Sequence, residues 1–229
     1  MLLLILTLLI VICAVIPQYW VRYVMRKYSS EIDDLQGTGG ELAQHLIDRF
    51  ELSGIKLEQT TEKGGDHYDP VSSTVRLSPA NFDGKSLTAV AVAAHEVGHA
   101  IQFHRNEKIS LLRGTYIPRS IILSKIGSGM LMAMPLVAVL LKSLPAIAVY
   151  IGISLLVQLA GALMYLIVLP EEWDASFNKA LPILEDGEYL NAAQLQAAKQ
   201  VLKAAALTYL ASALVNVVHI GRWFLILRR

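Results

Sequence analysis

The sequence has almost no cysteine and almost no net charge. The 229-residue chain has one cysteine, Cys13, which lies in an apolar N-terminal run. A single thiol cannot form a disulfide within the chain, and a cysteine-rich zinc site is excluded for the same reason. The formal net charge is +1, so no strong field favours nucleic acid or an acidic partner. Any bound metal must therefore be held by histidine and carboxylate side chains.

Charged residues are also scarce, and long apolar runs take their place. Only 17% of the residues are charged, 54% are hydrophobic and the mean hydropathy is +0.48. Such values are typical of multi-span membrane proteins and rare among soluble domains. We predict four membrane spans, at residues 1–20, 120–141, 146–169 and 204–220, with a tight turn at residues 142–145 between the middle two.

The first apolar run has a rival interpretation as a signal peptide. It has no basic n-region and no small-x-small cleavage site before the first charges, so a retained anchor is favoured. Pro17 closes the run, and Tyr19 and Trp20 follow as interfacial aromatic residues.

Basic residues predict the orientation of the spans. Lys142 alone lies in the hairpin turn, whereas seven basic residues lie near the membrane ends of the segment between the first two spans: Arg22, Arg26, Lys27, Arg105, Lys108, Arg113 and Arg119. The positive-inside rule then assigns that segment to the cytoplasm of a multi-pass protein of the cell membrane. One observation disagrees with this orientation: the fourth span would put Arg222, Arg228 and Arg229 outside the cytoplasm. The last segment could therefore lie along the membrane interface and not cross it fully.

A metal-binding box lies in the predicted cytoplasmic segment, at residues 95–99, with the sequence H-E-V-G-H. Residues four apart share one face of a helix, so His95 and His99 can offer two imidazole nitrogens to one Zn²⁺. Glu96 lies about 100° further round the helix, where its carboxylate can act as general base on a metal-bound water. The preceding apolar run, residues 86–94, suits a buried helix. The alternative is two hydrogen-bonded helix histidines with Glu96 at the surface.

Polar segments before and after the hairpin complete the predicted organisation. Residues 21–119 form the catalytic region, in which a helix opening at Thr38 and strands near residues 54–59 and 74–78 precede the H-E-x-x-H helix. Residues 120–169 form the transmembrane hairpin. Residues 170–203 form two helices broken at Asp186 and Gly187, and residues 204–229 form the last span and a tail.

The third metal ligand is expected after the hairpin. Catalytic zinc usually takes three protein ligands, and the two histidines supply only two. Glu171 and Glu172 follow directly on the third span, and the hairpin returns them to the side of the membrane that holds the box. The alternative is that both acids merely favour a helix N-terminus after Pro170.

Three motifs resemble those of the YugP-type neutral zinc metallopeptidases of bacterial membranes. In chain order they are residues 66–70 with 75–78, residues 95–102 and residues 172–176. The resemblance covers nearly the whole chain. The last pattern is also similar to the third-ligand helix of HtpX-type and CAAX-prenyl proteases, where the glutamate binds zinc. This resemblance implies Glu172 as the ligand rather than Glu171.

This chain differs from the HtpX-type and CAAX-prenyl proteases at one position. Those relatives carry an aspartate four residues after the ligand, where it orients a histidine, whereas Ser176 stands there in this chain. Asp174 is near but points elsewhere on an ideal helix. The implied fold is mainly α, with four transmembrane helices and a small α+β, gluzincin-like zinc-metalloprotease region in the cytoplasm.

Other polar residues are candidates for substrate binding. Gln102 returns to the face of His95 and could orient a ligand, meet substrate or be a plain surface amide. His67 could approach the cleft and stabilise an oxyanion, or simply pack a turn. Thr74, Val75 and Arg76 belong to a strand that we expect at a sheet edge, where an extended substrate could pair with it.

The sequence as a whole favours a membrane-embedded zinc metallopeptidase. One Zn²⁺ per chain would be held by His95, His99 and Glu172, with Glu96 as the base that activates water. The expected partners are the lipid bilayer and a polypeptide substrate near the cytoplasmic face, and no nucleic acid. One alternative is a non-proteolytic metal-binding or chaperone-like membrane protein. Another is a helical membrane protein with an accidental box and no metal.

Overall fold

The chain divides into two units, and each of them is built from segments that are separate in the sequence. The computed structural model describes residues 2–61 and 65–214, with side chains from residue 15 onward. A helix–sheet unit comprises Trp20–Leu111 and Pro170–Thr208. Among the described residues, an apolar helical unit comprises residues 2–19, Leu112–Leu169 and residues 209–214. Most of the described chain is helical, and three short strands form one sheet.

The elements follow one another in the order α1 (Leu2–Lys27), α2 (Gly39–Arg49), β1 (Lys56–Gln59), β2 (His67–Asp69), β3 (Thr74–Leu77), α3 (Pro79–Phe82), α4 (Leu87–His104), a 3₁₀ turn (Lys108–Ser110), α5 (Leu111–Leu141), α6 (Leu144–Ile167), α7 (Leu169–Trp173), a π-helical segment (Asp174–Ala180), α8 (Leu181–Asp186) and α9 (Ala192–Ala206). The predicted break near Asp186 and Gly187 separates α8 from α9.

Helix α2 begins where the sequence predicts, because its first turn is capped from both directions. The Thr38 side chain accepts a hydrogen bond from the Glu41 backbone N–H, and the Glu41 carboxylate accepts one from the Thr38 N–H. This capping box satisfies backbone donors that the first helical turn leaves open. The helix then buries Leu46 and Ile47 in the core of the helix–sheet unit.

Strand order corrects one prediction about substrate docking. The sheet runs β1-β3-β2, with β3 parallel to β1 and antiparallel to β2. Strand β3, which carries Thr74, Val75 and Arg76, is therefore central, and the expectation that it forms an edge is wrong. Its backbone is paired on both sides, because the apolar Val75 and Leu77 are fully buried and draw the strand into the core. An extended peptide cannot add to such a strand.

Helix α4 is the centre of the helix–sheet unit. Ser86 caps it by accepting a hydrogen bond from the Ala89 N–H, and every residue from Leu87 to Gln102 is buried. Small side chains dominate its first half, so α2, α9 and the π-helical segment can all pack closely against it. A helix that is apolar on all sides is suited to this position.

Close packing extends to the metal-binding box itself. A Cβ atom on Gly98 would lie only 2.7 Å from the carbonyl oxygen of Ala175 in the π-helical segment. Glycine therefore allows the backbone of α4 to lie directly against the segment that follows Glu172, and this contact fixes the distance between the two parts of the site.

Two helices among the described residues are long and apolar enough to cross a membrane. Helices α5 and α6 correspond to the second and third predicted spans. They pack closely at Gly127 and Gly161, and the Ser120 hydroxyl donates to the Gly161 carbonyl oxygen at 2.6 Å. Gly129, by contrast, faces open space.

The prediction of four spans is corrected to two in the part of the chain that is described. The first predicted span forms helix α1, whose side chains are described only from residue 15. The start of the fourth is wrong, because residues 204–206 end the amphipathic helix α9 and are buried in the helix–sheet unit. Residues 208–214 are helical, and residues 215–220 of that prediction lie outside the described residues.

Candidate metal centre

Helix α4 presents two histidine rings side by side. His95 and His99 lie one turn apart, their ring centroids are 4.7 Å apart, and both residues are at least 96% buried. Burial of two imidazoles in an otherwise apolar helix is unfavourable unless their nitrogens have partners. These partners are Gln102 on α4 itself and residues of the helical segments that follow the apolar hairpin in sequence.

Glu172 completes a cluster of three ligand atoms. Its Oε2 atom lies 3.3 Å from His95 Nε2 and 3.3 Å from His99 Nε2. Its Oε1 atom is buried and has no hydrogen-bond partner among the described residues. Burial by itself raises the pKa of the Glu172 carboxyl, but the neighbouring His99 and His95 outweigh that effect and hold the pKa well below its ordinary value. The Oε2 atom is thus directed at both rings.

The cluster has dimensions that suit a zinc ion. Ligand atoms about 2.0–2.1 Å from a tetrahedral zinc ion lie about 3.4 Å from one another. The two observed nitrogen–oxygen separations of 3.3 Å agree with this edge length. All three ligand atoms lie within 4.8 Å of one another, and the buried Oε1 has no other described partner. Two imidazoles and a carboxylate are also a ligand set of catalytic zinc sites.

Gln102 orients the ring of His99. Its Oε1 lies 2.9 Å from His99 Nδ1, while its Nε2 donates to the Glu171 carbonyl oxygen and to Asp174 Oδ2. Both acceptors of the amide nitrogen lack hydrogens, so the amide orientation is fixed and His99 Nδ1 must be the donor. The Nε2 lone pair of His99 is then directed at the cluster. Gln102 is fully buried, so it is not the plain surface amide considered from sequence, and its contact with His99 agrees with ligand orientation.

Ser176 has the corresponding position at His95. Its Oγ lies 2.9 Å from His95 Nδ1 and is fully buried. A hydroxyl therefore takes the place that the resemblance assigns to an aspartate. With Nδ1 engaged by Ser176, the Nε2 atom of His95 is the ring nitrogen left to face Glu172. The hydrogen bonds described for the two Nδ1 atoms are thus to a hydroxyl and to an amide oxygen.

Asp174 also reaches the site. It is the first residue of the π-helical segment, and its carboxylate accepts a hydrogen bond from the Gln102 amide at 2.8 Å. Burial raises the pKa of Asp174, and the hydrogen bonds from Gln102, Lys179 and Asn178 outweigh it, so the pKa is lowered overall. Lys179 in turn bonds to Glu107 at 2.9 Å.

Glu96 lies on α4 between the two histidines and contacts the sheet. Its Oε2 accepts a hydrogen bond from the backbone N–H of Tyr68 at 2.8 Å, and the residue is 5% exposed. A single backbone donor from β2 thus fixes the position of this carboxylate. The sequence alternative in which Glu96 lies at the surface is wrong, because α4 is covered on this side by β2 and β3.

Glu171, the other candidate ligand, is also buried but faces the opposite ring nitrogen. Its Oε1 is 3.9 Å from His99 Nδ1, the atom that Gln102 already engages. The three-residue cluster consists of His95, His99 and Glu172. The geometry therefore favours Glu172 over Glu171 as the third ligand, in agreement with the resemblance.

The remaining sequence candidates lie on the sheet, and no contact between them and the cluster is described. His67 Nδ1 bonds to the Gly65 carbonyl oxygen at 2.6 Å, which matches the simpler interpretation of a histidine that packs a turn. Thr74 and Val75 are buried in β3. Arg76 pairs with Asp69 at 2.9 Å, and hydrogen bonds from Ser72 and Arg76 lower the pKa of the Asp69 carboxyl.

Two contributors to the site have no clear signal in the sequence. The backbone N–H of Tyr68 holds Glu96, and a backbone donor leaves no trace in residue identity. Lys179 holds Asp174 next to Gln102, and only the spacing of a π-helix would have indicated it. The sequence does show Asp174, an acidic residue two positions after the ligand, and this acid is the part of the Lys179–Asp174 contact that could be noticed in advance.

The fold and site together define a mainly helical protein in which two histidines of an H-E-x-x-H helix and a glutamate from a later helix form a buried cluster. The chain belongs to the family described as "Putative neutral zinc metallopeptidase", which matches residues 2–228. It is 33% identical over 209 residues to the "Putative membrane protease YugP" of Bacillus subtilis (strain 168), covering 91% of this chain and 89% of that protein. No solved structure gives a significant match.

Proposed function

We propose that this protein is a membrane-embedded zinc metallopeptidase that hydrolyses peptide bonds of polypeptides at the cytoplasmic face of the membrane. The observation that carries the proposal is the combination of a buried His95, His99 and Glu172 cluster with a positioned Glu96 on the same helix. Family membership supports the same reaction class.

Each residue of the site has a role in this proposal. His95, His99 and Glu172 would hold one zinc ion, with Ser176 and Gln102 keeping the histidine rings in place. Zinc, when bound, lowers the pKa of water and polarises the substrate carbonyl. Glu96 accepts a proton from the attacking water and then delivers it to the nitrogen of the leaving amine. The hydrogen bond from Tyr68 keeps the Glu96 carboxylate oriented before substrate arrives.

Hydrolysis by the full-length chain is the test of this function. Purified protein in detergent is expected to cleave an unfolded polypeptide, to stop when a zinc chelator is added, and to recover when zinc is restored. Cleavage that persists undiminished after complete removal of metal would contradict the proposal. A protein that holds zinc but cuts no polypeptide would favour the non-proteolytic alternative.

The proposed topology predicts on which side of the membrane three positions of the chain lie. Helices α5 and α6 form a hairpin, so the segments before and after it must lie on one side of the membrane. A reporter that is active only in the cytoplasm is expected to work after Lys27 or Lys203 and to be silent at Ser143, because basic residues concentrate outside the turn. Equal activity at all three positions would contradict the proposed crossing.

Cysteine labelling gives a second measure of the same arrangement. Lys179 bonds to Glu107 within the helix–sheet unit, so cysteines at positions 108 and 179 are expected to be labelled from one side only. Labelling from opposite sides would make a site built from α4 and Glu172 impossible, since zinc–ligand bonds are only about 2 Å long.

A further inference from the structure

A groove of about 500 Å³ in the helix–sheet unit has a composition unlike the rest of that surface. Its lining consists of two aromatic residues, two lysines and two amides: Trp173, Phe177, Lys199, Lys203, Gln196 and Gln200. No carboxylate belongs to this lining among the residues described. We name it the basic groove, and it plays no part in the proposed reaction.

The aromatic side of the groove is a tilted stack of one exposed ring, Trp173, on one half-buried ring, Phe177. The ring centroids are 4.3 Å apart, and Trp173 is 44% exposed. An apolar group over the exposed face of Trp173 would remove that surface from water, which is favourable. Tryptophan is enriched where one side of a ring meets lipid and the other meets water.

The basic side faces this stack from α9. Lys199 and Lys203 are exposed and lie one helical turn apart, as do Trp173 and Phe177 on the opposite wall. A third lysine approaches from α1, because the Tyr28 hydroxyl donates to Gln200 at 3.0 Å and Lys27 Nζ lies 4.8 Å from the Tyr28 ring centre. The groove therefore combines positive charge with an apolar wall, which is complementary to an anionic amphiphile.

Chain connectivity brings the groove close to the proposed membrane. Trp173 is three residues after Pro170, where the chain re-enters the helix–sheet unit, and Lys203 is five residues before Thr208, where it leaves again. At a rise of about 1.5 Å per helical residue, Trp173 starts within about 5 Å, along the chain, of the end of the proposed membrane hairpin. A phosphate bound next to Trp173 would therefore come from a lipid headgroup in the proposed membrane position.

We propose that the basic groove binds one anionic phospholipid, with Lys199 and Lys203 on its phosphate and the Trp173–Phe177 stack against its glycerol and upper acyl carbons. The inference rests on the membrane position proposed above but not on zinc binding or hydrolysis. Because Trp173 follows Glu172 directly, the bound lipid would also fix the segment that carries the third ligand.

Quenching of Trp173 by brominated lipid tests this site in the full-length chain. The sequence has two other tryptophans, Trp20 and Trp223, and replacing both with phenylalanine leaves Trp173 as the sole tryptophan, which is excited selectively over tyrosine at the red edge of its absorption. The protein is reconstituted in phosphatidylcholine bilayers that contain equal fractions of either brominated phosphatidylglycerol or brominated phosphatidylcholine. We expect the anionic lipid to quench Trp173 more strongly than the neutral one.

Matched lysine variants make the result specific. Each lysine near an anionic headgroup contributes about fivefold in association, so Lys199→Gln with Lys203→Gln is expected to lower the preference for the anionic lipid by about tenfold or more. Lys56→Gln with Lys85→Gln removes the same charge from exposed positions elsewhere and is expected to leave the preference unchanged.

Three outcomes would overturn the proposal. They are equal quenching by the two lipids, no quenching by either in protein that floats with the bilayers, and a preference that survives neutralisation of Lys199 and Lys203. Equal quenching would mean that lipid contacts Trp173 without selection for charge, whereas absence of quenching would assign the groove to a polypeptide partner or a second copy. Zinc content, measured on the same samples, reports separately on the proposed function.

Discussion

Glu96→Gln is expected to abolish measurable peptide hydrolysis while leaving the fold and the zinc content unchanged. The amide has the shape of the carboxylate, and its oxygen can still accept the hydrogen bond from the Tyr68 N–H. It cannot accept a proton from water, and loss of a general base costs about 10²–10⁴ in rate. The measurement is the rate of polypeptide cleavage by the purified variant beside the unaltered chain.

A matched substitution distinguishes loss of the general base from a general effect of losing one negative charge. Glu185 lies exposed on α8, and Glu185→Gln removes one negative charge without touching the site. We expect this control to retain full activity. Full activity in Glu96→Gln, with zinc retained, would mean that another group accepts the proton and that the mechanism is wrong.

The second large effect concerns the third ligand, because two adjacent glutamates compete for that role. Glu172→Gln is expected to lower zinc affinity by more than about 100-fold, since loss of an outer-shell partner alone costs about 10–100-fold. Its Oε2 is 3.3 Å from both Nε2 atoms, so its replacement removes the only anion of the cluster. Competition with a chelating dye measures the zinc dissociation constant.

Glu171→Gln is the control for that measurement. Its carboxylate is adjacent in sequence and equally buried, but it lies 3.9 Å from a ring nitrogen that Gln102 already engages. We expect zinc affinity to stay within about tenfold of the unaltered chain, as for a residue outside the ligand set. The reverse result, with Glu171→Gln losing zinc and Glu172→Gln keeping it, would move the ligand by one residue.

Local sequence signals predicted the elements that carry the site. The capping box at Thr38, the alternation around Val75 and the apolar run before His95 each indicate a structure that depends on near neighbours, and each is found. The i, i+4 spacing of His95 and His99 likewise fixes their common face without further information. Glu172 required more, because its role depends on a contact across 73 residues.

Features that depend on tertiary packing could not be predicted in this way. Strand order is decided by which strand buries both faces, and alternation alone does not distinguish the central β3 from an edge. The apolar residues 204–206 looked like the start of a membrane span, but they cover α4 in the core. The contact of Asp174 with Gln102 is also tertiary, because it joins two segments 72 residues apart in the chain.

The zinc content of the purified full-length protein tests the central claim most directly. The account predicts close to one zinc per chain, since the described residues supply one cluster of three ligands. It also predicts loss of that zinc in His95→Ala and in His99→Ala, because two ligands of three cannot hold the ion as tightly. Absence of zinc from the unaltered chain, or its full retention in both histidine variants, would contradict the account.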